Sequence, residues 1–261
     1  MSRRPNPLPR FYRWRSNVLQ TPVLGIVTAV LATTALLVSL VDKKGRVQHG
    51  IARLWARGCL WASWSGLEVR GAENLCKHRV AVYASNHTSY MDTPIIFAGL
   101  PFQFRILAKK GLWAWPFIGW YLHRSGQMPI DTENPQKTLS SLGAAVKLLR
   151  SGMPLFVFPE GGRTLEGELQ PFLSGAAYLA IRAQVPLVPI AITGAYDLLP
   201  MHTHQFYPRK LAIEVGEPIE TKGMTVRQIE ELTERLREAI AEMLGQTEFD
   251  RIEVTAATPV T

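Results

Sequence analysis

Residues 80–92 read VAVYASNHTSYMD, an apolar run that ends abruptly in a cluster of polar side chains. Short apolar runs rich in β-branched residues, bounded by polar residues, are typical of buried strands. In open α/β sheets, ligands bind just beyond the carboxyl ends of the strands. The stretch therefore predicts a strand at 80–84 and a candidate site immediately after it.

The rest of the chain alternates similar runs with helical patterns. Further strands are predicted at 104–108, 155–158, 187–192 and 211–215. One helix is predicted to begin at Asn134, with Pro135 in its first turn, and a last helix at the capping box Thr225 to Gln228. The apolar residues expected to face the core are Leu139, Leu142, Val146 and Leu149 in the first helix and Ile229, Leu232, Leu236 and Ile240 in the second. This alternation predicts an α/β fold with a central, mostly parallel or mixed sheet flanked by helices.

The composition narrows the classes of protein that the chain can belong to. Its 261 residues carry a net charge of +8, which suggests an anionic partner such as nucleic acid, a lipid headgroup or a phosphorylated ligand. Cys59 and Cys76 are too few for a disulfide framework and lack the paired spacing of a zinc site. His202 and His204, spaced by one residue with no obvious third ligand, are read as loop residues, and no metal is expected.

A long uncharged stretch follows the N-terminal arginines. Residues 16–41 contain no Asp, Glu, Lys or Arg, and the apolar part at 22–41 matches the roughly 20 residues needed to cross a bilayer. This pattern favours an uncleaved membrane anchor, with a buried core helix as the alternative. Positive charge flanks both ends, so the positive-inside rule does not fix the orientation. A re-entrant hairpin is as compatible as a span. Because the arginines cluster at this anchor, anionic lipid explains the basic charge better than nucleic acid does.

Residues 51–67 are predicted to form a second helix with both basic and aromatic side chains. Arg53 and Arg57 lie four residues apart among leucines and tryptophans, which suits a helix at the level of the lipid headgroups. A soluble amphipathic helix packed on the domain fits equally well. We expect three units: the basic N terminus and anchor at 1–67, a domain at 68–246 and a C-terminal tail at 247–261.

The polar cluster after the first strand contains a histidine and an aspartate five residues apart, His87 and Asp92. If the chain turns into a helix between them, the carboxylate can fix the tautomer of the imidazole and leave its other nitrogen free to accept a proton from a hydroxyl. Taken alone, such a pair also fits an ordinary loop.

A second polar cluster, FPEGGRT at 158–164, follows the predicted strand at 155–158. Glycines let a backbone approach a ligand closely, and Arg163 offers a planar set of donors suited to a phosphate. Glu160 is able to accept from a hydroxyl or to hold the arginine. A tight turn with a surface ion pair is the alternative for this string alone.

Together, Asn86-His87-x4-Asp92 and 158–163 resemble the first and third sequence blocks of the glycerolipid acyltransferase family, typified by 1-acyl-sn-glycerol-3-phosphate acyltransferase. Residues 185–192 are similar to its fourth block and 108–112 to the lead-in to its second, so that the resemblance covers about 69–215. The family's reaction moves a fatty acyl chain from acyl-CoA or acyl carrier protein onto the hydroxyl of a lysophospholipid, with no cofactor. A serine hydrolase is disfavoured because the chain lacks a Gly-x-Ser-x-Gly motif.

The resemblance implies a role for each matching residue. His87 would act as general base on the acceptor hydroxyl, and Asp92 would orient it. The residues implied in binding the acceptor are Glu160, Gly161, Arg163, Lys109 and Lys110.

The chain also departs from the family pattern. An arginine usual after Asp131 is replaced by Thr132, a lysine usual in the third block's continuation is replaced by Leu173, and Gly162 stands where Thr is usual. The residues considered as replacements for the lost basic groups are Arg105, Arg124 and Lys137.

We expect the acceptor to be 1-acylglycerol-3-phosphate, which gives phosphatidic acid in phospholipid biosynthesis. The alternative is another lyso-lipid, such as lyso-ornithine lipid or a lysophospholipid, and the second class is a non-catalytic membrane-associated protein. The expected location is the cell membrane, with the active site on the cytoplasmic side.

Overall fold

The computed structural model describes residues 13–42, 44–131, 134–164, 166–201, 203 and 205–256, and their side chains apart from Cys76 and 246–256. The strands of the described chain are β1 (Leu67–Arg70), β2 (Val82–Ser85), β3 (Arg105–Lys109), β4 (Met128–Ile130), β5 (Leu155–Val157), β6 (Leu187–Thr193) and β7 (Leu211–Val215). The helices are α1 (Arg15–Val38), α2 (Arg46–Ala62), α3 (Ala72–Lys77), α4 (Asp92–Gly99), α5 (Ile118–Arg124), α6 (Pro135–Arg150), α7 (Gly175–Ala183), α8 (Ala195–Leu198) and α9 (Ile229–Ala256).

The described strands form one mixed sheet in the order β1-β7-β6-β2-β5-β3-β4. The run from β6 to β4 is parallel, and β7 pairs antiparallel with β6. The predicted mixed α/β sheet is therefore confirmed. Two strands were missed: β4 has only three half-buried residues, and β1 follows the predicted second helix directly, sharing only Leu67 with it.

The sheet separates two apolar cores, because successive side chains of a strand point to opposite faces. Tyr83 and Phe156 pack on the side of α2 and α4, whereas Val82 and Leu155 pack on the side of α6, α7 and α9. The central strand β2 is buried at every position. Strands covered by helices on both faces are continuously apolar, which is why the 80–84 run is so hydrophobic.

The predicted helix starts are confirmed, with two differences. The Asn134 side chain accepts a hydrogen bond from Lys137 N, and the Thr225–Gln228 capping box is formed. Leu139, however, is 59% exposed, so its assignment to the core face of α6 is wrong. The periodicity identifies the face of a helix but not where its neighbours end. In addition, α9 continues to Ala256, past the expected boundary at 246.

The first two helices form an antiparallel hairpin. Hydrogen bonds join Gln20 Nε2 to Ala62 O at 2.7 Å and the Trp55 indole to Thr28 Oγ1 at 2.9 Å. The opposite face of α2 packs on α4, so α2 is an amphipathic helix that lies on the domain, with Leu54 and Trp61 left exposed.

The outer surface of α1 is apolar and uncovered. Within Thr21–Val38 the buried residue is Ala35, which makes the alternative of a buried core helix wrong. Ile26 and Val30, for example, are 65% and 57% exposed. Among the described residues, one helix, Arg15–Val38, is long and apolar enough to cross a membrane.

Two leucines in α6 provide a matched test of the core. Replacing Leu142, which is 7% exposed, with Ala should lower the free energy of unfolding by about 2–5 kcal/mol, because it leaves a cavity among packed side chains. Leu139→Ala should change it by less than about 0.5 kcal/mol. Urea denaturation of both variants measures the difference, and equal effects would contradict the described packing of α6.

Candidate active site

His87 and Asp92 meet at the point where β2 ends and α4 begins. His87 Nδ1 lies 2.8 Å from Asp92 Oδ2, and the same oxygen accepts the backbone N–H groups of Thr88 at 2.7 Å and Ser89 at 2.8 Å. Asp92 is fully buried as the first residue of α4, and the His87 side chain is 13% exposed. The sequence prediction that the chain turns into a helix between the two residues is correct.

The shared oxygen determines which nitrogen of the ring carries the proton. Because Asp92 Oδ2 is an acceptor, Nδ1–H donates to it, and the neutral tautomer that makes this hydrogen bond carries no proton on Nε2. Nε2 makes no hydrogen bond to the described residues. A neutral imidazole oriented in this way by a buried carboxylate is suited to accept a proton from a hydroxyl group.

Asn86 directs the main chain out of the sheet. Its side-chain Nδ2 donates to Ile192 O at 3.0 Å, and its Oδ1 accepts from Ile192 N at 2.8 Å. Since Ser85 is the last residue of β2 to pair with β6, opposite Ile190, the Asn86 amide continues the ladder in place of a peptide group. The backbone at His87 is therefore free to leave β6.

The loop after β5 binds the backbone of His87 on the side opposite β6. Glu160 Oε1 accepts His87 N at 2.7 Å, and Thr164 N donates to His87 O at 3.1 Å. The ring of Phe158 stacks on the imidazole, with 4.0 Å between the ring centres. These contacts fix both the main chain and the side chain of His87.

Glu160 has its two oxygens engaged by backbone groups, since Oε2 accepts Gln170 N at 3.2 Å. Burial raises the pKa of Glu160 to about 7, and the charge of Asp92 acts in the same direction, while the two N–H donors oppose the shift. In this structure Glu160 holds the His87 loop. Its predicted contact with an acceptor stays a prediction.

Gly161 forms the tight turn that brings the loop back. Its φ is +71°, which side chains other than glycine rarely adopt, and an added Cβ would lie 2.8 Å from Leu173 Cδ1. Arg163 follows on the surface, with its guanidinium carbon 3.9 Å from the centre of the exposed Tyr90 ring. The guanidinium is thus held beside the catalytic candidate by a cation–π contact.

The predicted lysines lie at the same edge of the sheet. Strands β2, β5 and β3 are parallel neighbours, so that the loops after each of them open on one edge. Lys109 ends β3 and is exposed, and Lys110 Nζ lies 3.3 Å from Asp131 Oδ2. With neighbouring strands about 4.8 Å apart, the end of β3 lies about 10 Å from the end of β2.

Arg105, one of the considered replacement cations, lies elsewhere. It begins β3, at the opposite edge of the sheet, where it is buried and donates from Nη2 to Lys44 O at 3.2 Å. Arg124 ends α5, and Lys137 lies in the first turn of α6. His202 and His204 lie outside the described residues, as does Thr132.

Sequence reasoning located the candidate pair, His87 and Asp92, but missed what holds it. Asn86 was part of the quoted motif without a role, and the interactions of Phe158, Thr164 and Glu160 with His87 were not expected. The sequence signal that could have indicated these contacts is that both polar clusters directly follow strands, which are neighbours in the sheet.

Comparisons with known proteins agree with this site. Residues 66–193 match the Acyltransferase family. A 1-acyl-sn-glycerol-3-phosphate acyltransferase from Chlamydomonas reinhardtii is 30% identical over 237 residues, which cover 90% of this chain and 68% of that protein. A chloroplastic 1-acyl-sn-glycerol-3-phosphate acyltransferase from Brassica napus is 33% identical over 181 residues, or 68% of this chain; the chain spans about half, 52%, of that relative's length.

The fold also has a counterpart among solved structures. The crystal structure of the 1-acyl-sn-glycerophosphate acyltransferase from Thermotoga maritima superposes with a TM-score of 0.74 at 24% identity, covering 96% of this chain and all of the other. At this identity the likeness supports the fold. The sequence matches, which include both clusters around His87, show that the chain belongs to the acyltransferase family that contains the 1-acyl-sn-glycerol-3-phosphate acyltransferases.

Proposed function

We propose that the protein transfers a fatty acyl group from acyl-CoA or acyl carrier protein to the free hydroxyl of 1-acylglycerol-3-phosphate, giving phosphatidic acid. The observation that carries this proposal is the 2.8 Å contact of His87 Nδ1 with buried Asp92, which leaves Nε2 available as a base. The names of the relatives support the choice of acceptor. The thioester donor is inferred from the family's chemistry.

In the proposed reaction, His87 Nε2 removes the proton of the acceptor hydroxyl as its oxygen attacks the thioester carbon. Asp92 stabilises the imidazolium that forms. The tetrahedral oxyanion then collapses, the carbon–sulfur bond breaks, and the imidazolium returns its proton to the leaving thiolate. The ester and the free thiol account for all atoms, and no metal or cofactor takes part.

The acceptor's phosphate would meet Arg163 and Lys109, which lie at the same edge of the sheet as His87 and are both exposed. Lys110 is already paired with Asp131. Since Arg105 lies at the other edge, it does not replace the arginine that Thr132 displaces. This loss of basic groups favours a second candidate acceptor, lyso-ornithine lipid or another lysophospholipid. A non-catalytic role is disfavoured, because the oriented base is intact.

The exposed apolar surface of α1 supports membrane association. We propose that residues 1–67 attach the protein to the cell membrane and that 68–246 form the catalytic domain. The proposed active site faces the cytoplasm, because acyl-CoA and acyl carrier protein are water-soluble. Because α1 packs along α2, which lies on the domain, the anchor holds the domain against the bilayer surface.

The general-base role predicts that His87→Ala lowers kcat by about 10²–10⁴-fold without changing the fold. His78→Ala is the matched control, since His78 is partly exposed and pairs with Glu220. Turnover with labelled acyl-CoA and a panel of lyso-lipids measures the effect and identifies the acceptor. A His87→Ala enzyme that keeps a tenth of the wild-type turnover would rule out the assignment.

The headgroup role predicts that Arg163→Lys raises KM for a phosphorylated acceptor by about tenfold, because the charge stays and the planar set of donors is lost. With a neutral acceptor such as monoacylglycerol, KM should change little, as should KM for the donor. Steady-state kinetics on both acceptors make the comparison. An equal loss on both would mean that Arg163 acts only on the Gly161 turn.

The attachment role predicts that the double substitution Ile26→Glu and Val30→Glu releases the protein from phospholipid vesicles. Each carboxylate would have to enter hydrocarbon, which costs a few kcal/mol. Val226→Glu is the control, because Val226 is 50% exposed and lies at the start of the last helical segment. Co-sedimentation in high salt measures binding, and undiminished binding of the double variant would place the anchor elsewhere.

A further inference from the structure

A cleft lies between the end of α1 and helix α5, apart from the site around His87. Its volume is about 520 Å³, within the range of small-ligand sites. The lining residues are Leu36, Ser39, Leu40, Trp113, Gly119, Trp120, His123 and Arg124.

One side of the cleft is continuous with the exposed apolar surface of the protein. Leu40 is 67% exposed at the end of α1, and Val41 beyond it is 81% exposed. On α5, Trp120 is 56% exposed, and Phe117, just before the helix, is 58% exposed. Tryptophans of this kind favour the boundary between lipid chains and water, so the cleft opens where a lipid chain would be available.

The other side of the cleft is basic. Arg124 and His123 contribute to its lining. A Cβ added to Gly45 would lie 3.6 Å from Ser125 O, so the turn after Lys44 lies close to the turn after α5. Buried Arg105 lies between the two turns: it donates to Lys44 O at 3.2 Å, and a Cβ added to Gly126 would lie 3.3 Å from its Nε. The backbone of Lys44 is therefore held near the end of α5 that carries Arg124.

Within the described part of the chain, no carboxylate pairs with the side chains of Lys44 or Arg124. The nearby carboxylate of Asp42 accepts Arg46 N and Gln48 N at the start of α2. The basic side chains are thus available to an external anion. Because an apolar wall accompanies them, a phosphate with an attached acyl chain fits this cleft better than free phosphate.

We propose that this cleft binds one molecule of an anionic phospholipid, with an acyl chain against Leu36 and Trp120 and the phosphate on Arg124. The site is distinct from the reaction site. Arg105, beside the basic end, begins β3, whereas His87 follows the end of the parallel strand β2, so the basic end of the cleft and His87 lie at opposite edges of the sheet. The other end of the cleft, at Trp113, follows the end of β3.

The test uses the purified full-length protein in a neutral detergent, titrated with dibrominated phosphatidylglycerol while tryptophan fluorescence is recorded. Bromine quenches the tryptophans that it contacts, and Trp113 and Trp120 line the cleft. We expect saturable quenching by phosphatidylglycerol, weak quenching by dibrominated phosphatidylcholine, and no displacement by glycerol phosphate. Equal quenching by both lipids would overturn the proposal, and displacement by glycerol phosphate would show that the headgroup alone binds.

Four variants locate the binding. Arg124→Gln should weaken the affinity by about tenfold or more, equivalent to about 1.4 kcal/mol, and Ser39→Phe should do the same by filling the cleft. Arg235→Gln, an exposed arginine on α9, and His87→Ala should bind as the wild type does. Equal losses for Arg235→Gln would mean unspecific attraction, an unaffected Ser39→Phe would exclude the cleft, and loss in His87→Ala would assign the quenching to the reaction site. None of these outcomes depends on acyl transfer.

Discussion

The hydrogen bond from His87 Nδ1–H to Asp92 requires two residues five apart in the chain to meet with the carboxylate buried. This requirement determines how β2 ends and how α4 begins. The backbone N–H groups of Thr88 and Ser89 converge on the same carboxylate oxygen, so that the turn is formed around the charge. The three donors to Asp92 Oδ2 replace the hydrogen bonds from water that the carboxylate loses on burial, and so stabilise its charge.

Contacts from both neighbours of β2 hold the histidine of this hydrogen bond in place. Asn86 supplies a side-chain amide to β6 where the main chain departs, and the loop after β5 supplies Glu160 and Thr164 to the main chain of His87. The histidine is therefore held from both neighbouring strands of a parallel sheet. Gly161 lets the loop turn back tightly enough to do this, at a positive φ.

Basic residues lie at both ends of the central strands, and their roles differ between the two ends. At the carboxyl edge of the central strands, Arg163 and Lys109 are exposed beside the proposed base, which suits an anionic acceptor. At the amino edge, Arg105 is buried and organises the turn between α1 and α2. The two edges are linked through α1 and α2, whose hairpin covers α4 on one face of the sheet and leaves an apolar surface outward.

The sequence by itself determined the α/β class, most of the strands, both helix caps, the apolar N-terminal helix and the candidate pair, His87 and Asp92. These follow from local patterns: periodicity, capping residues and polar clusters after apolar runs. Only the tertiary structure decided that Leu139 is exposed and that Arg105 lies away from the site. It also decided that Glu160 accepts the backbone N–H of His87 from a buried position, which raises the pKa of the Glu160 carboxyl. Each of these depends on which strands and helices become neighbours. That arrangement is set by burial and hydrogen bonding between residues that are distant in the chain.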